Sequence, residues 1–320
     1  MGSGVGQMVR NAFVFPGQGA QFVGMGKDFY ENFDWAKSIY EKSNKLIGKD
    51  ITRICFEGPE NELMLTENAQ PAILIHSIIA LKSLRERGID AVIAAGHSLG
   101  EYSALVAAGA LDFSDAVQIV HKRGQYMQEA VPEGVGAMAA IIGLDLSIIE
   151  DLCRSVSSAQ SFVQPANMNS KVQTVVAGHK EAVKMLADEA SKVGAKKSIL
   201  LPVSAPFHCS LMKPAESKLK VKLEEITFKD LKFPIVTNVD CKAILNGVRA
   251  RNSLVRQVCS PVRWTETMSY ILESKVDRIV EFGPGKVLSG LFKRFDSSLS
   301  CIPISDMESL SKAISILKGN

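Results

Sequence analysis

The chain has 320 residues, 46% of them hydrophobic, and 37 Lys plus Arg against 34 Asp plus Glu leave a formal net charge of +3. That length buries a sizeable core, as one large domain with an insertion or as two domains of unequal size. The small charge, with basic residues spread among acidic ones, argues against a nucleic-acid partner but leaves room for a mildly basic patch facing an acidic protein.

Met1 to Gln7 is a small-residue leader without a charged region or an apolar core, so it does not read as a signal peptide, and Met8 reads as the natural start. Ala12 to Phe15 reads as a strand ending in the turn Gly17-Gln18-Gly19, followed by helices over Trp35 to Leu46 and Pro71 to Arg87. No membrane span is expected, because the longest apolar run, Ala72 to Leu81, is short and holds His76 and Ser77. The strand Ala91 to Ala95 then runs into Gly96-His97-Ser98-Leu99-Gly100 and the helix Glu101 to Ala108. Strand, G-x-S-x-G turn and helix together are the context of a nucleophile elbow, in which a serine oxygen stands exposed at the carboxyl end of a buried strand. The alternating strands and helices imply a mostly parallel sheet covered by helices, with ligands at the carboxyl ends of its strands.

From about Gly136 the rhythm changes. Ala137 to Ile142, Phe162 to Ala166, Gln173 to Ala177 and Lys197 to Val203 read as strands, with helices over Leu146 to Val156 and Glu181 to Val193. This β-α-β-β-α-β order is that of a ferredoxin-like α+β unit. The expected organisation is a large α/β domain from residues 8–131 and 205–320, interrupted by a small subdomain over 132–204. A helix over Pro214 to Glu225, the strand Phe233 to Val236, an Asn246-Gly247 turn, helices over Ala250 to Gln257 and Trp264 to Ser274, and the strand Arg278 to Phe282 complete the reading. The spacing of Gly283-Pro284-Gly285-Lys286 is wrong for a P-loop and fits a tight turn opening a helix.

A serine nucleophile needs a base within hydrogen-bond reach. Of the five histidines, His76 falls among apolar residues on a helix, His121 neighbours Lys122 on another, His179 sits at a helix entrance and His97 is locked inside the elbow. His208, in the proline-stiffened Ala205-Pro206-Phe207-His208 where the chain leaves the small subdomain, either faces a cleft between domains or lies on the surface. Arg123 shares an apolar helical stripe with Ala116, Val120 and Met127, so its guanidinium requires an anion: an internal Asp or Glu, or a substrate carboxylate. Acyl transfer also needs N–H donors for an oxyanion, which the amides of Leu99 and of Gln18 could supply. The six cysteines, Cys55, Cys153, Cys209, Cys241, Cys259 and Cys301, are scattered without a C-x-x-C pair, which indicates no metal site and no disulfide framework, and fits reduced thiols in a cytoplasmic enzyme.

Phe15-Pro16-Gly17-Gln18-Gly19, Gly96-His97-Ser98-Leu99-Gly100-Glu101, Lys122-Arg123-Gly124, Ala205-Pro206-Phe207-His208 and Leu254-Val255-Arg256-Gln257, in this order, resemble the successive motifs of the malonyl-CoA:acyl carrier protein transacylases of bacterial-type fatty acid synthesis. The resemblance runs from about Asn11 to about Lys293 and implies a hydrolase-like parallel-sheet domain with an inserted ferredoxin-like subdomain. It implies that Ser98 carries the acyl group as an ester, that His208 is base and then acid, and that Gln18 and Leu99 lend amides to the oxyanion. Arg123 would hold the malonyl carboxylate, and Gln257 would orient His208 through its main-chain carbonyl, which removes the need for a triad aspartate. Asn167 and Asn169 match an Asn-x-Asn segment of the family that lines the cleft, and Gln70, in Asn68-Ala69-Gln70-Pro71-Ala72, matches a motif near the pocket. No cofactor is implied, the substrates being malonyl-CoA and phosphopantetheinylated acyl carrier protein; the implied protein is a monomer of the cytoplasm, or of an organelle stroma or matrix. Phe207 is compatible with a pocket sized for an unbranched acyl unit. One departure is Lys171-Val172, where the family commonly has Pro or Gly.

Four rivals are weighed. An α/β-hydrolase thioesterase calls for an HGGG-type loop and a late histidine, and a patatin-like lipase commonly has an Asp-Gly pair; the chain has none of these. A non-catalytic carrier-binding subunit would have no reason to keep Ser98, His208, Arg123 and Gln18 together. A trans-acting acyltransferase of polyketide synthesis shares the chemistry and is a further alternative.

Overall fold

The computed structural model describes residues 9–203 and 205–318; the leader, Met8 and Ser204 lie outside the described residues. In chain order the strands are β1 (Asn11–Phe15), β2 (Ile93–Gly96), β3 (Gly136–Ile142), β4 (Val163–Ser170), β5 (Gln173–His179), β6 (Lys197–Leu200), β7 (Ile235–Val236), β8 (Ala243–Ile244), β9 (Arg278–Phe282) and β10 (Ser300–Ile304). They form a six-stranded sheet in the order β10-β9-β1-β2-β7-β8 and a four-stranded sheet in the order β4-β5-β3-β6. The larger sheet is parallel from β10 to β7, with β8 antiparallel at its edge. This is a mixed α/β fold.

All five residues of β1 are buried because helices cover both faces of the sheet. Phe13 and Phe15 pack into the core shared with the helix Thr66–Arg85, while Ala12 and Val14 pack against Trp264, Met268 and Phe292 on the opposite face. Phe15 pairs with Gly96, so the loops that follow β1 and β2 leave the sheet side by side. Two glycines permit the crowding there. A Cβ on Gly96 would lie 1.8 Å from the Gly100 carbonyl carbon, and one on Gly100 would lie 2.0 Å from the Phe15 oxygen.

The four-stranded sheet is antiparallel throughout. On one face, Ala139, Ile141, Val163 and Val176 pack with Ile149, Val183 and Leu186 of the helices Leu146–Val156 and Lys180–Lys192. On the other face Met138, Ala140, Val175 and Ala177 join the large core together with Ala205 and Phe207. That second face is the one turned toward the elbow.

Several elements differ from the sequence reading. The helix expected from Pro71 begins at Thr66, with Pro71 inside it. Proline has no N–H to give the carbonyl four residues back, and the orphaned Glu67 oxygen is taken instead by His121 Nδ1 at 2.9 Å. β4 and β5 run longer than expected and meet at a two-residue turn made of Lys171-Val172, both exposed, with Ser170 paired to Gln173. β6 stops at Leu200 rather than Val203. The turn Gly283 to Lys286 opens a helix as expected, Val287–Phe295, but β10 and the helix Met307–Lys318 that follow were not in the reading. β10 holds Pro303 within Ser-Cys-Ile-Pro-Ile, a residue tolerated because β10 is an edge strand.

His76 is fully buried in the helix Thr66–Arg85, edge-on to Phe29, with no hydrogen-bond partner at either nitrogen among the described residues. Burial pushes it from 6.5 down to about 4. Its contribution to stability is therefore complete above pH 6.5 and lost as the pH falls toward 4. Within that window the unfolded ring binds a proton that the folded ring refuses, costing up to about 1.4 kcal/mol per pH unit. A His76→Leu variant is expected to lose less melting temperature than the wild type between about pH 7.5 and about pH 5. Equal losses would refute the buried, neutral ring.

Candidate active site

Ser98 follows β2 directly, in the left-handed region at φ 50, a conformation that costs a non-glycine residue roughly 1–2 kcal/mol. The turn brings Ser98 Oγ to 2.7 Å from His208 Nε2. His208 Nδ1 lies 2.9 Å from the main-chain oxygen of Gln257. A carbonyl can only accept, so Nδ1 carries the ring proton and Nε2 accepts from the serine hydroxyl. His208 also sits in the left-handed region, at φ 60, and is buried. Burial first, and the Arg123 charge second, push it down to about 3. The ring is thus a neutral acceptor at neutral pH.

Arg123 is 1% exposed and projects from the helix Phe113–Glu129. Gly124 lets that helix press against the helix Thr66–Arg85: a Cβ there would lie 2.6 Å from both Glu67 Cα and the Thr66 oxygen. The guanidinium donates to Gln70 Oε1 at 2.8 Å, and to Ser98 Oγ and Gln257 Oε1 at 3.1 Å each. All three acceptors are neutral. Of the two partners open to it in the sequence, the internal carboxylate is not among its hydrogen bonds, and its Nε has no partner among the described residues. A buried cation so placed is poised for an incoming anion.

A cavity of about 230 Å³ opens over this group, lined by Gln18, Gln70, Ser98, Leu99, Arg123, Met127 and His208, with Phe207 and, from β3, Met138 closing it. It has room for a short acyl group. Neither the Leu99 amide nor the Gln18 amide has an acceptor among the described residues, while the Gln18 side chain is tied back to Thr66 Oγ1 at 3.2 Å. The site therefore gathers Ser98, His208, Arg123, Gln18, Leu99, Gln70 and Gln257.

Asn169 stands one step away from the nucleophile. It lies along a neighbouring cavity of about 290 Å³ rather than the one over Ser98, while Asn167 lines both. Asn169 Oδ1 is occupied by His97 Nε2 at 2.8 Å, at the register shift of β4 between Met168 and Ser170. His97 in turn rests against the Trp264 ring.

The sequence reading passed over Asn238 and assigned no role to Glu101. Glu101 is fully buried and accepts from Asn238 N, Gln257 Nε2 and Ser253 Oγ. Burial pushes its carboxyl up to about 7 against the pull of those donors. The available signal was Thr237-Asn238, a polar pair directly after the apolar β7, but that β7 neighbours β2 appears only in the folded sheet.

Residues 12–309 match the family described as "Acyl transferase domain". The malonyl CoA-acyl carrier protein transacylase of Bacillus subtilis is 45% identical over 311 residues, covering 97% of this chain and 98% of its own. That of Escherichia coli K12 is 45% identical over 310 residues, covering 97% and 100%. Among solved structures, the transacylase of Coxiella burnetii superposes with a TM-score of 0.94 at 40% identity, covering 97% of this chain and 98% of that one. A malonyl-transacylase solved with a type II polyketide synthase acyl-carrier protein gives 0.93 at 45% identity, covering 97% and 100%. With such agreement along nearly its whole length, the chain belongs to the acyl transferase family, among the malonyl CoA-acyl carrier protein transacylases.

Proposed function

We propose that this protein moves a malonyl group from coenzyme A to the phosphopantetheine thiol of acyl carrier protein by way of an ester on Ser98. His208 Nε2 takes the hydroxyl proton as Ser98 Oγ attacks the thioester carbon. The resulting oxyanion is received by the free amides of Leu99 and Gln18. On collapse the C–S bond breaks, and the departing thiolate takes the proton from His208. The carrier-protein thiol then gives its proton to His208 and attacks the ester, and Ser98 leaves with that proton. Each step is assigned to a side chain or a main-chain amide, so the reading requires no cofactor.

The observation that carries this reading is the relay from Ser98 Oγ through His208 to the Gln257 carbonyl, in one cavity with a buried arginine whose acceptors are all neutral. The finer architecture belongs to the same reading: the strand order β4-β5-β3-β6 is that of a ferredoxin-like subdomain, inserted into a hydrolase-like domain. Six free thiols fit a reducing, cytoplasmic setting. Intact-mass measurement after mixing with malonyl-CoA is expected to give one malonyl adduct, absent in Ser98→Ala. An unmodified wild-type protein would sink the proposal. The neighbour solved with a polyketide carrier protein supports a second reading, the same transfer in polyketide synthesis; competition between fatty acid and polyketide carrier proteins for the loaded enzyme separates the two.

A further inference from the structure

The Ser98 main-chain N–H points at neither the cavity nor a strand partner. It donates to Asn238 Oδ1 at 2.7 Å, while Asn238 Nδ2 donates at 2.7 Å to the oxygen of Gly96, two residues earlier. One carboxamide thus spans the elbow from the last residue of β2 to the nucleophile. Asn238 is itself held, its own N–H donating to Glu101 Oε2 at 3.0 Å. The same Glu101 oxygen accepts from Gln257 Nε2 at 2.8 Å, and that nitrogen also reaches the Ser98 oxygen at 3.1 Å. Asn238, Glu101 and Gln257 are all fully buried.

We propose that Asn238 is a positioning residue for acyl transfer: it fixes the left-handed seat of Ser98 and keeps the nucleophile's own amide out of the oxyanion site. The inference rests on the Ser98 ester mechanism proposed above. Ser98 holds a conformation that its side chain disfavours, and such a conformation persists only where surrounding contacts over-determine it. The Asn238 carboxamide supplies two of those contacts. Without them the turn relaxes, and both the Ser98 Oγ to His208 alignment and the direction of the Leu99 amide drift. The substrate carboxylate senses this change less than the reacting serine does, because Arg123 projects from the separate helix Phe113–Glu129 and keeps its 2.8 Å bond to Gln70 when its 3.1 Å bonds to Ser98 Oγ and Gln257 shift.

The test is single-turnover acylation by malonyl-CoA in Asn238→Ala and Asn238→Asp, each confirmed folded by a cooperative melt. Asn238→Ala is expected to acylate about 10²-fold more slowly at saturation, with the half-saturating concentration changed less than about threefold. Asn238→Asp, which keeps an acceptor for the Ser98 N–H, is expected to recover about tenfold of that loss. A rate within about threefold of wild type in Asn238→Ala, a loss carried by half-saturation, or equal losses in the two variants overturns the inference. If Asn238→Ala does not fold, a rate loss at saturation in Asn238→Asp supports it and a wild-type rate overturns it. Failure of the wild type to acylate would refute the mechanism itself, whereas a wild type that acylates beside an unaffected variant refutes only the role of Asn238.

Discussion

In His208→Ala, the burst of Ser98 acylation by malonyl-CoA is expected to slow by about 10³–10⁴-fold, with the half-saturating concentration little changed. A serine hydroxyl attacks only as its proton departs, and the acceptor at 2.7 Å is His208 Nε2. The neighbouring imidazole of His97 makes no hydrogen bond to Ser98 Oγ among the described residues, its Nε2 being turned to Asn169. The Gln257 carbonyl makes this base competent without an aspartate, by holding the Nδ1 proton and so leaving the lone pair on Nε2. Loss of the ring therefore removes proton transfer from both halves of the reaction while leaving the arginine, the cavity and the oxyanion amides in place. Rapid-quench measurement of acyl-enzyme formation reads the effect; a variant within tenfold of the wild type would mean that another group takes the proton.

Arg123→Ala is expected to reduce malonyl loading by about 10²–10⁴-fold, as befits a buried charge-assisted pair worth about 3–5 kcal/mol, and to reduce acetyl loading far less. Two effects act in the same direction. The guanidinium offers its donors to a carboxylate in place of three neutral acceptors. Its charge also presses the His208 pKa down, second only to burial. A bound malonyl carboxylate offsets that charge at its donors and lets the imidazole accept the serine proton, whereas an acetyl group leaves only the Glu101 carboxyl to offset the cation beside a forming imidazolium. The arginine thus favours malonyl in the rate as well as in binding. Comparing acylation by malonyl-CoA and acetyl-CoA at saturation checks this, and parallel losses for the two donors would make Arg123 a structural residue.

Much of the site was legible before folding because its chemistry is local. An elbow needs a strand, two glycines and a helix within a few residues, and Gly96 to Gly100 provides them. The resemblance then supplied roles for His208, Gln257 and Arg123 that spacing alone left open. Periodicity gave the order of the main elements, yet it missed β10, whose proline is acceptable only at a sheet edge, and it started one helix at Pro71 because the carbonyl that proline orphans is satisfied by a histidine from another helix.

By itself the chain determined the strand, G-x-S-x-G turn and helix that carry Ser98, and the alternation of strands and helices, since each is written in contiguous residues. Tertiary structure alone decided that Arg123 meets neutral acceptors rather than an internal carboxylate, that Asn169 faces His97 and not the cavity over Ser98, and that Asn238 clasps the elbow. These depend on which strand lies beside which and on how closely Gly124 lets two helices approach. Contacts between residues as far apart as Ser98 and Asn238 leave no periodic trace, because the partner's identity is set by packing rather than by its neighbours in the chain.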